Sequence, residues 1–324
     1  MIFTQNKKGV PSLKSYPSIF AIYGENYLTW ESQLLQYFIT GITIGSIYAL
    51  VALGFNIIYN STEVINFAQG EFAMLGGLIM VSLCMIMHLP LVLGFILAVT
   101  LVTIFGAIFE RLVIYPLKRP SVFTLIIITL ATSILLQGIA MFVWGKDPYD
   151  LAAFSGRTPI AIGGAIIQPQ YIWVLGLTIF VVILFNLFFN RTILGKAMAA
   201  CAENPEAASL VGINVKVMVL LSFALSASIG AVAGVVLTPI ALMEYDRGPL
   251  LTIKGFGAVV LGGLGNFGGA VVAGFLLGVI ESLFAGFVSS GYKDAAALLV
   301  LLSILFIRPS GLFGSQEITK IKKF

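Results

Sequence analysis

Few side chains in this 324-residue sequence could do chemistry, and their spacing argues against catalysis. His88 is the only histidine, so no relay or metal site needing a second imidazole can form. Cys84 and Cys201 stand in unrelated contexts, which suggests neither a disulfide framework nor a cysteine metal centre. No G-x-x-x-x-G-K-[ST] phosphate loop occurs, because Gly195-Lys196 lacks both the upstream glycine and the following Ser or Thr. H-E-x-x-H and G-x-S-x-G are also missing. The acidic candidates Glu71, Glu110 and Glu281 are widely separated, so no carboxylate pair is evident. The sequence reads as a non-enzyme without a metal or other cofactor.

Polar residues inside apolar stretches are the remaining candidates. Asn66, Gln69 and Glu71 interrupt hydrophobicity just before an apolar segment, and Asn266 does so within a glycine-rich run. A charge at the centre of a membrane helix costs about 2.5–3.5 kcal/mol on insertion scales, so such positions are rarely idle. One reading therefore places Asn66, Gln69, Glu71 and Asn266 on a translocation path. The local alternative makes Glu71 a first-turn residue favoured by the helix dipole. Glu110-Arg111 and Glu281 read as interfacial residues by the same logic.

The elements that must position these residues are membrane helices. The chain is 59% hydrophobic and 10% charged, with a mean hydropathy of +1.04. Soluble domains carry about 25% charged residues. This composition excludes a cytosolic enzyme, a nucleic-acid binder and a secreted disulfide scaffold. A helix crosses the hydrocarbon core with roughly 20 apolar residues. Eight segments approach that length: Leu34–Tyr59, Phe72–Met87, Leu91–Phe109, Ser121–Trp144, Tyr171–Phe189, Val217–Pro239, Gly255–Ile280 and Ala295–Ile307. Pro90, Pro120, Pro239 and Pro309 mark their ends. The expected fold is an all-α, polytopic bundle preceded by a lead-in over 1–33 and followed by a basic tail over 315–324. Glycines spaced four apart, Gly41/Gly45, Gly230/Gly234 and Gly274/Gly278, are expected to pack helices within the chain rather than across a dimer interface.

Basic residues set the orientation. Thirteen of the 18 fall in four regions: Lys7, Lys8 and Lys14; Arg111, Lys118 and Arg119; Arg191, Lys196 and Lys216; Arg308, Lys320, Lys322 and Lys323. If all four are cytoplasmic, an even number of crossings must separate neighbours. Three segments lie between the first and second regions, and three between the third and fourth. Each odd count needs a segment that does not simply cross. Asn66–Glu71 and Gly262–Gly269 supply one interruption per half, as in inverted repeats with broken or re-entrant helices.

The loop over 190–216 is the most informative. Asn204 suits a helix cap, Pro205 the first helical position, Glu206 the first turn and Gly212 the stop. A short helix of small residues is therefore expected on the cytoplasmic side.

Glu206-Ala207-Ala208-x-x-x-Gly212 resembles the first half of the EAA loop of ABC importer permeases, without its downstream Ile-x-Leu-Pro portion. Gly195-Lys196-Ala197, Ala202-Glu203, Ala208 and Gly212-Ile213-Asn214 resemble the branched-chain amino acid permeases of the LivH type. So do Gly41–Leu50, Asn66–Glu71, Val260–Gly265 and Arg308–Gly314, and the likeness spans 34–314. Gln69 stands where many members have His. The resemblance implies one permease subunit of an ATP-driven importer in a prokaryotic plasma (inner) membrane. Its implied partners are a second, related or identical permease, two cytoplasmic ATPase subunits and an extracytoplasmic solute-binding protein. Glu203, Glu206, Ala207, Ala208 and Gly212 would form the contact with the ATPase. The alternatives are a stand-alone secondary transporter or channel, and a permease of the same superfamily for a sugar, urea or another small solute.

Overall fold

In the computed structural model, which describes residues 29–117, 121–156, 158–162, 164–308 and 310–314, the chain is helical almost throughout. The membrane-length helices begin with α1 (Trp30–Thr62), α2 (Gln69–Val81, prolonged by a π-helical turn to Ile86), α3 (Leu91–Phe109, prolonged likewise to Ile114) and α4 (Val122–Trp144). A small antiparallel hairpin, β1 (Ile160–Ile162) and β2 (Ala165–Ile167), precedes α5 (Pro169–Arg191). Two short helices follow, α6 (Ile193–Glu203) and α7 (Pro205–Leu210), and then α8 (Val215–Ala241). The chain closes with α9 (Arg247–Gly262), α10 (Phe267–Phe287) and α11 (Lys293–Ile307). Eight of the helical stretches are long and apolar enough to cross a membrane. Pro90 caps α3 as expected, whereas Pro239 lies within the last turn of α8.

The expected segment Gly255–Ile280 is two helices. Gly263 takes φ +98° and Gly265 φ +84°, left-handed values that suit glycine, and the chain turns back between α9 and α10. Asn266 caps α10 by accepting from the Gly269 N–H at 2.9 Å. Four helices therefore separate the loop over 190–216 from Arg308, and of these the 16-residue α9 is not long and apolar enough to count as a membrane span. In the first half the helices alternate normally, so Trp30 lies at the end opposite Tyr115. Trp30 stacks on Phe287, and Gln36 accepts from the Ile166 N–H at one end. Asn60 donates to the Gly265 carbonyl, and Lys216 donates to the Tyr115 hydroxyl at the other. Lys7, Lys8, Lys14, Lys118, Arg119, Pro120, Pro309, Lys320, Lys322, Lys323 and the tail over 315–324 lie outside the described residues. Arg111, Arg191, Lys196, Lys216 and Arg308 gather at the second end, the end that the positive-inside tendency assigns to the cytoplasm.

The bundle has a concealed centre and an apolar outside. Within their most apolar stretches α1, α2 and α8 are largely buried, whereas α3, α4 and α5 present residues such as Ile104, Ile134 and Phe180 outward. Helices that are apolar on every face are the expected response to lipid, where only the protein interior needs polar partners.

Glycine lets the central helices meet. A Cβ on Gly45 would lie 2.7 Å from the Cα of Phe275, and one on Gly274 2.7 Å from the amide nitrogen of Ala49. Gly41 and Gly278 extend the same α1–α10 crossing by a turn. Gly230 and Gly234 instead seat α8 on Phe72 and Ala73 of α2. All three glycine pairs thus serve contacts within the chain, where close backbone approach replaces a hydrophobic driving force. A Cβ on Gly138 of α4, by contrast, would meet nothing within 4 Å.

The same substitution should therefore have opposite signs at two helical glycines. Gly45→Ala forces two backbones apart and should destabilise by about 1–3 kcal/mol, whereas Gly138→Ala should be neutral or stabilising by up to about 1 kcal/mol. Thermal unfolding of the detergent-solubilised chain compares them. Equal midpoints for the two variants would contradict the crossing.

Candidate functional site

The loop over 190–216 folds into two helices, one more than its sequence suggests. Thr192 caps α6 by accepting from the Gly195 N–H at 3.0 Å, and Asn204 caps α7 by accepting from the Ala207 N–H at 2.9 Å. Pro205 occupies the first turn of α7, where no amide partner is lost. Gly212 then takes φ +90°, and the Ile213 N–H reaches back to the Ala208 carbonyl at 3.0 Å. This is a Schellman stop, and it needs a residue tolerant of the left-handed region. Asn214 begins α8 by accepting from the Val217 N–H.

One face of this module is anchored and the other is free. Gly195, Met198 and Cys201 of α6 and Ala208 of α7 are buried, and α6 touches α1, α5 and α8. A Cβ at Gly195 would collide with the backbone of Phe188 and Phe189. Burial also pushes the Cys201 thiol up, which keeps it protonated and inert. Glu203, Glu206, Ala207 and Gly212 are exposed, so of the five expected contact residues only Ala208 faces inward. Sequence reasoning misses Leu210, which is 89% exposed, and its exposed neighbour Val211. Two adjacent apolar residues directly before the Gly212 stop of a short, polar-flanked helix are the signal that could have found them.

Asn66, Gln69 and Glu71 sit where α2 begins, deep in the protein. Gln69 donates to the Ser226 carbonyl and accepts from the Ser226 hydroxyl at 2.6 Å, beside Gly54 of α1. Gly54 is eight residues from the end of α1, so α2 starts about 12 Å inside the bundle. The link before it is irregular backbone in which Asn66 and Ala68 are buried, and backbone of this kind survives at such depth where it is packed in protein or lines a wet cavity. Asn66 accepts from the Ala68 N–H, and the Phe67 N–H donates to Thr129. Glu71 accepts from Ser133 at 2.6 Å and from Gln137 at 3.3 Å, and its carboxylate abuts Gly248 in the first turn of α9. A carboxylate there is favoured by the α9 dipole. Asn266 is exposed at the same end as Lys216, where it donates to the Phe313 carbonyl at 3.1 Å.

A second polar cluster is not evident from the sequence. Lys254 of α9, 2% exposed, donates to Glu281 of α10 at 2.7 Å and pairs with Asp294 of α11, also at 2.7 Å. Tyr48 of α1 donates its hydroxyl to the same Glu281 oxygen at 3.0 Å. Glu281 is therefore buried, a correction to its interfacial reading; its charge tolerates this position because Lys254 and Tyr48 satisfy it. Glu110, also read as interfacial, is buried as well. The cluster borders a cavity of ≈ 230 Å³ that none of Asn66, Gln69, Glu71 and Asn266 lines. The sequence does mark Lys254 in one respect, as a lone charge between Leu250-Leu251 and Gly255-Phe256.

The arrangement places a buried ionic cluster inside the bundle and an anchored pair of short helices at one end of it. Among the described residues no group of three or more His, Cys, Asp and Glu side chains could hold a metal ion.

Comparison with known proteins agrees with this architecture. Residues 37–307 match the family described as "Branched-chain amino acid transport system / permease component". The chain is 31% identical over 302 residues to the high-affinity branched-chain amino acid transport system permease protein LivH of Salmonella typhimurium, covering 89% of this chain and 97% of that one. It is 33% identical over 300 residues to the permease protein BraD of Pseudomonas aeruginosa, covering 89% and 98%. The autoinducer 2 import system permease protein LsrC of Yersinia pestis is 26% identical over 324 residues, covering 94% and 85%. Eight apolar helices and relatives of this kind make the chain a multi-pass protein of the inner membrane. With a family match over most of its length and identity above 30% across nearly whole relatives, the chain belongs to the branched-chain amino acid transport permease family.

Proposed function

We propose that the chain is one membrane subunit of an ATP-driven importer for branched-chain amino acids. It works beside a second permease, two cytoplasmic ATPase subunits and an extracytoplasmic binding protein. The observation that carries this reading is the α6–α7 module, which is anchored inward on α1, α5 and α8 while baring Glu203, Glu206, Ala207, Leu210 and Gly212 at the cytoplasmic end. A capped, glycine-stopped helix moves as a unit, so a push on its free face is delivered to the central helices. ATPase closure then shifts the permease pair between two arrangements open to opposite sides. Asn66, Gln69 and Glu71 fix the broken start of α2 against α4, α8 and α9, and Asn266 fixes the α9–α10 turn. They contribute to the path by holding the helices that border it.

Branched-chain amino acids are favoured over other solutes because LivH and BraD cover the chain at higher identity than LsrC does. A purified permease pair without ATPases should perform no concentrative uptake in liposomes. Gradient-driven accumulation by the permease alone would make this a secondary transporter instead.

The docking claim is tested by the double variant Glu206→Arg, Leu210→Arg. Neither side chain is buried, so folding should be retained while ATPase co-purification and ATP-driven leucine uptake fall at least tenfold. Removal of an interface anchor costs about 2 kcal/mol or more. Uptake and assembly within twofold of the unmodified complex would refute the contact.

A further inference from the structure

The cavity beside Lys254 has an unusual lining for the interior of an apolar bundle. Its wall carries both signs of charge: Arg247 and Lys293 on one hand, Glu281 and Asp294 on the other. Ile44, Ile47, Leu237 and Leu250 supply an apolar side to the same space. Lys254 lies behind the two carboxylates and holds them in place. Lys254 and Glu281 are buried charges, costly in an apolar bundle, and one closed pair between them would satisfy both.

Three groups in the lining keep unused capacity. Asp294 is paired through one oxygen yet remains 46% exposed along its side chain. Arg247 donates through its terminal nitrogen to Glu244, while its buried Nε has no partner among the described residues. Lys293 stands 4.0 Å from Glu281, at the edge of ion-pair distance, and is 47% exposed. A carboxylate acceptor and two guanidinium or ammonium donors therefore border one small space with an aliphatic wall. With Lys254 and Glu244 included, three cations face three anions, so the surround favours a cargo of zero net charge with separated ends. At ≈ 230 Å³ it falls below the roughly 300–1,000 Å³ of pockets for drug-sized ligands.

We infer that this cavity is a cargo site for a zwitterionic aliphatic amino acid, with the ammonium at Asp294 and Glu281, the carboxylate at Arg247 and Lys293, and the side chain against Ile44, Ile47 and Leu250. The site lies between α1, α8, α9, α10 and α11, so a shift of α1 or α8 alters its walls directly. This gives the proposed importer a point inside the membrane subunit at which cargo is recognised after release from the binding protein. A neutral polyol has no group to match the separated charges.

The inference rests on the importer reading, and the test separates the two. The assembled permease–ATPase complex carries Cys84→Ser, Cys201→Ser and Ser282→Cys, since Ser282 lines the cavity. Labelling of that cysteine by a small methanethiosulfonate is followed with and without L-leucine, N-acetyl-L-leucine or L-leucinamide. L-leucine should slow labelling at least fivefold, and neither one-charge analogue should do so. Adding Asp294→Asn should remove the protection and lower ATP-driven leucine uptake about tenfold, the usual scale of a lost charge-assisted hydrogen bond. Lys293→Gln, at an equally exposed position, should act in the same direction. If the complex imports leucine but leucine gives no protection, or the analogues protect equally, the site is not a zwitterion site. If the complex imports no amino acid at all, both the site and the importer reading fall.

Discussion

The crossing of α1 and α10 at Gly41, Gly45, Gly274 and Gly278 constrains most of what surrounds it. Two backbones in van der Waals contact leave no freedom to slide by less than a turn, so the rows of side chains above and below the crossing are fixed in register. That register puts Tyr48 against Glu281, and Glu281 in reach of Lys254 across the α9–α10 turn. It also puts Asn56 of α1 where it donates to the Asn266 carbonyl and accepts from the Gly265 N–H, both at 3.0 Å. One steric contact thus organises a buried ionic cluster on one side and a cytoplasmic helix turn on the other.

The same helix runs between the two ends of the molecule. α1 is touched by α6 near the cytoplasm and borders the charged cavity further along. α8 has the same two neighbours, since it meets α6 and contributes Leu237 to the cavity wall. Under the proposed importer reading, motion imposed on the α6–α7 module would have two helical routes to the cavity. A packed interior moves between discrete arrangements rather than deforming smoothly, which suits a two-state device.

The sequence is legible where the physics is local. The Asn204 cap, Pro205 at the first helical position and Gly212 as the stop all depend on residues within one or two turns, and the structure has each of them. Apolar runs likewise reveal the long helices, because hydrophobic length is a one-dimensional property. What stays hidden concerns distant partners. Gly255–Ile280 looks like one span because its apolar run continues through a glycine turn. Its true start at Arg247 is hidden behind Lys254, which looks like a boundary and is buried only because Glu281 and Asp294 meet it from other helices. Glu71 poses the same difficulty: its Ser133 and Gln137 partners lie on α4, and nothing near it in sequence announces them.

The central claim, that the α6–α7 module is the cytoplasmic surface on which a separate motor acts, is most directly tested by accessibility. The variant Leu210→Cys, with Cys84 and Cys201 replaced by serine, would be treated with a membrane-impermeant maleimide. It should react in inside-out vesicles, stay unreactive in right-side-out vesicles, and become protected when the ATPase subunits are bound. Labelling from the outer face, or unchanged labelling in the ATPase-bound complex, would contradict it.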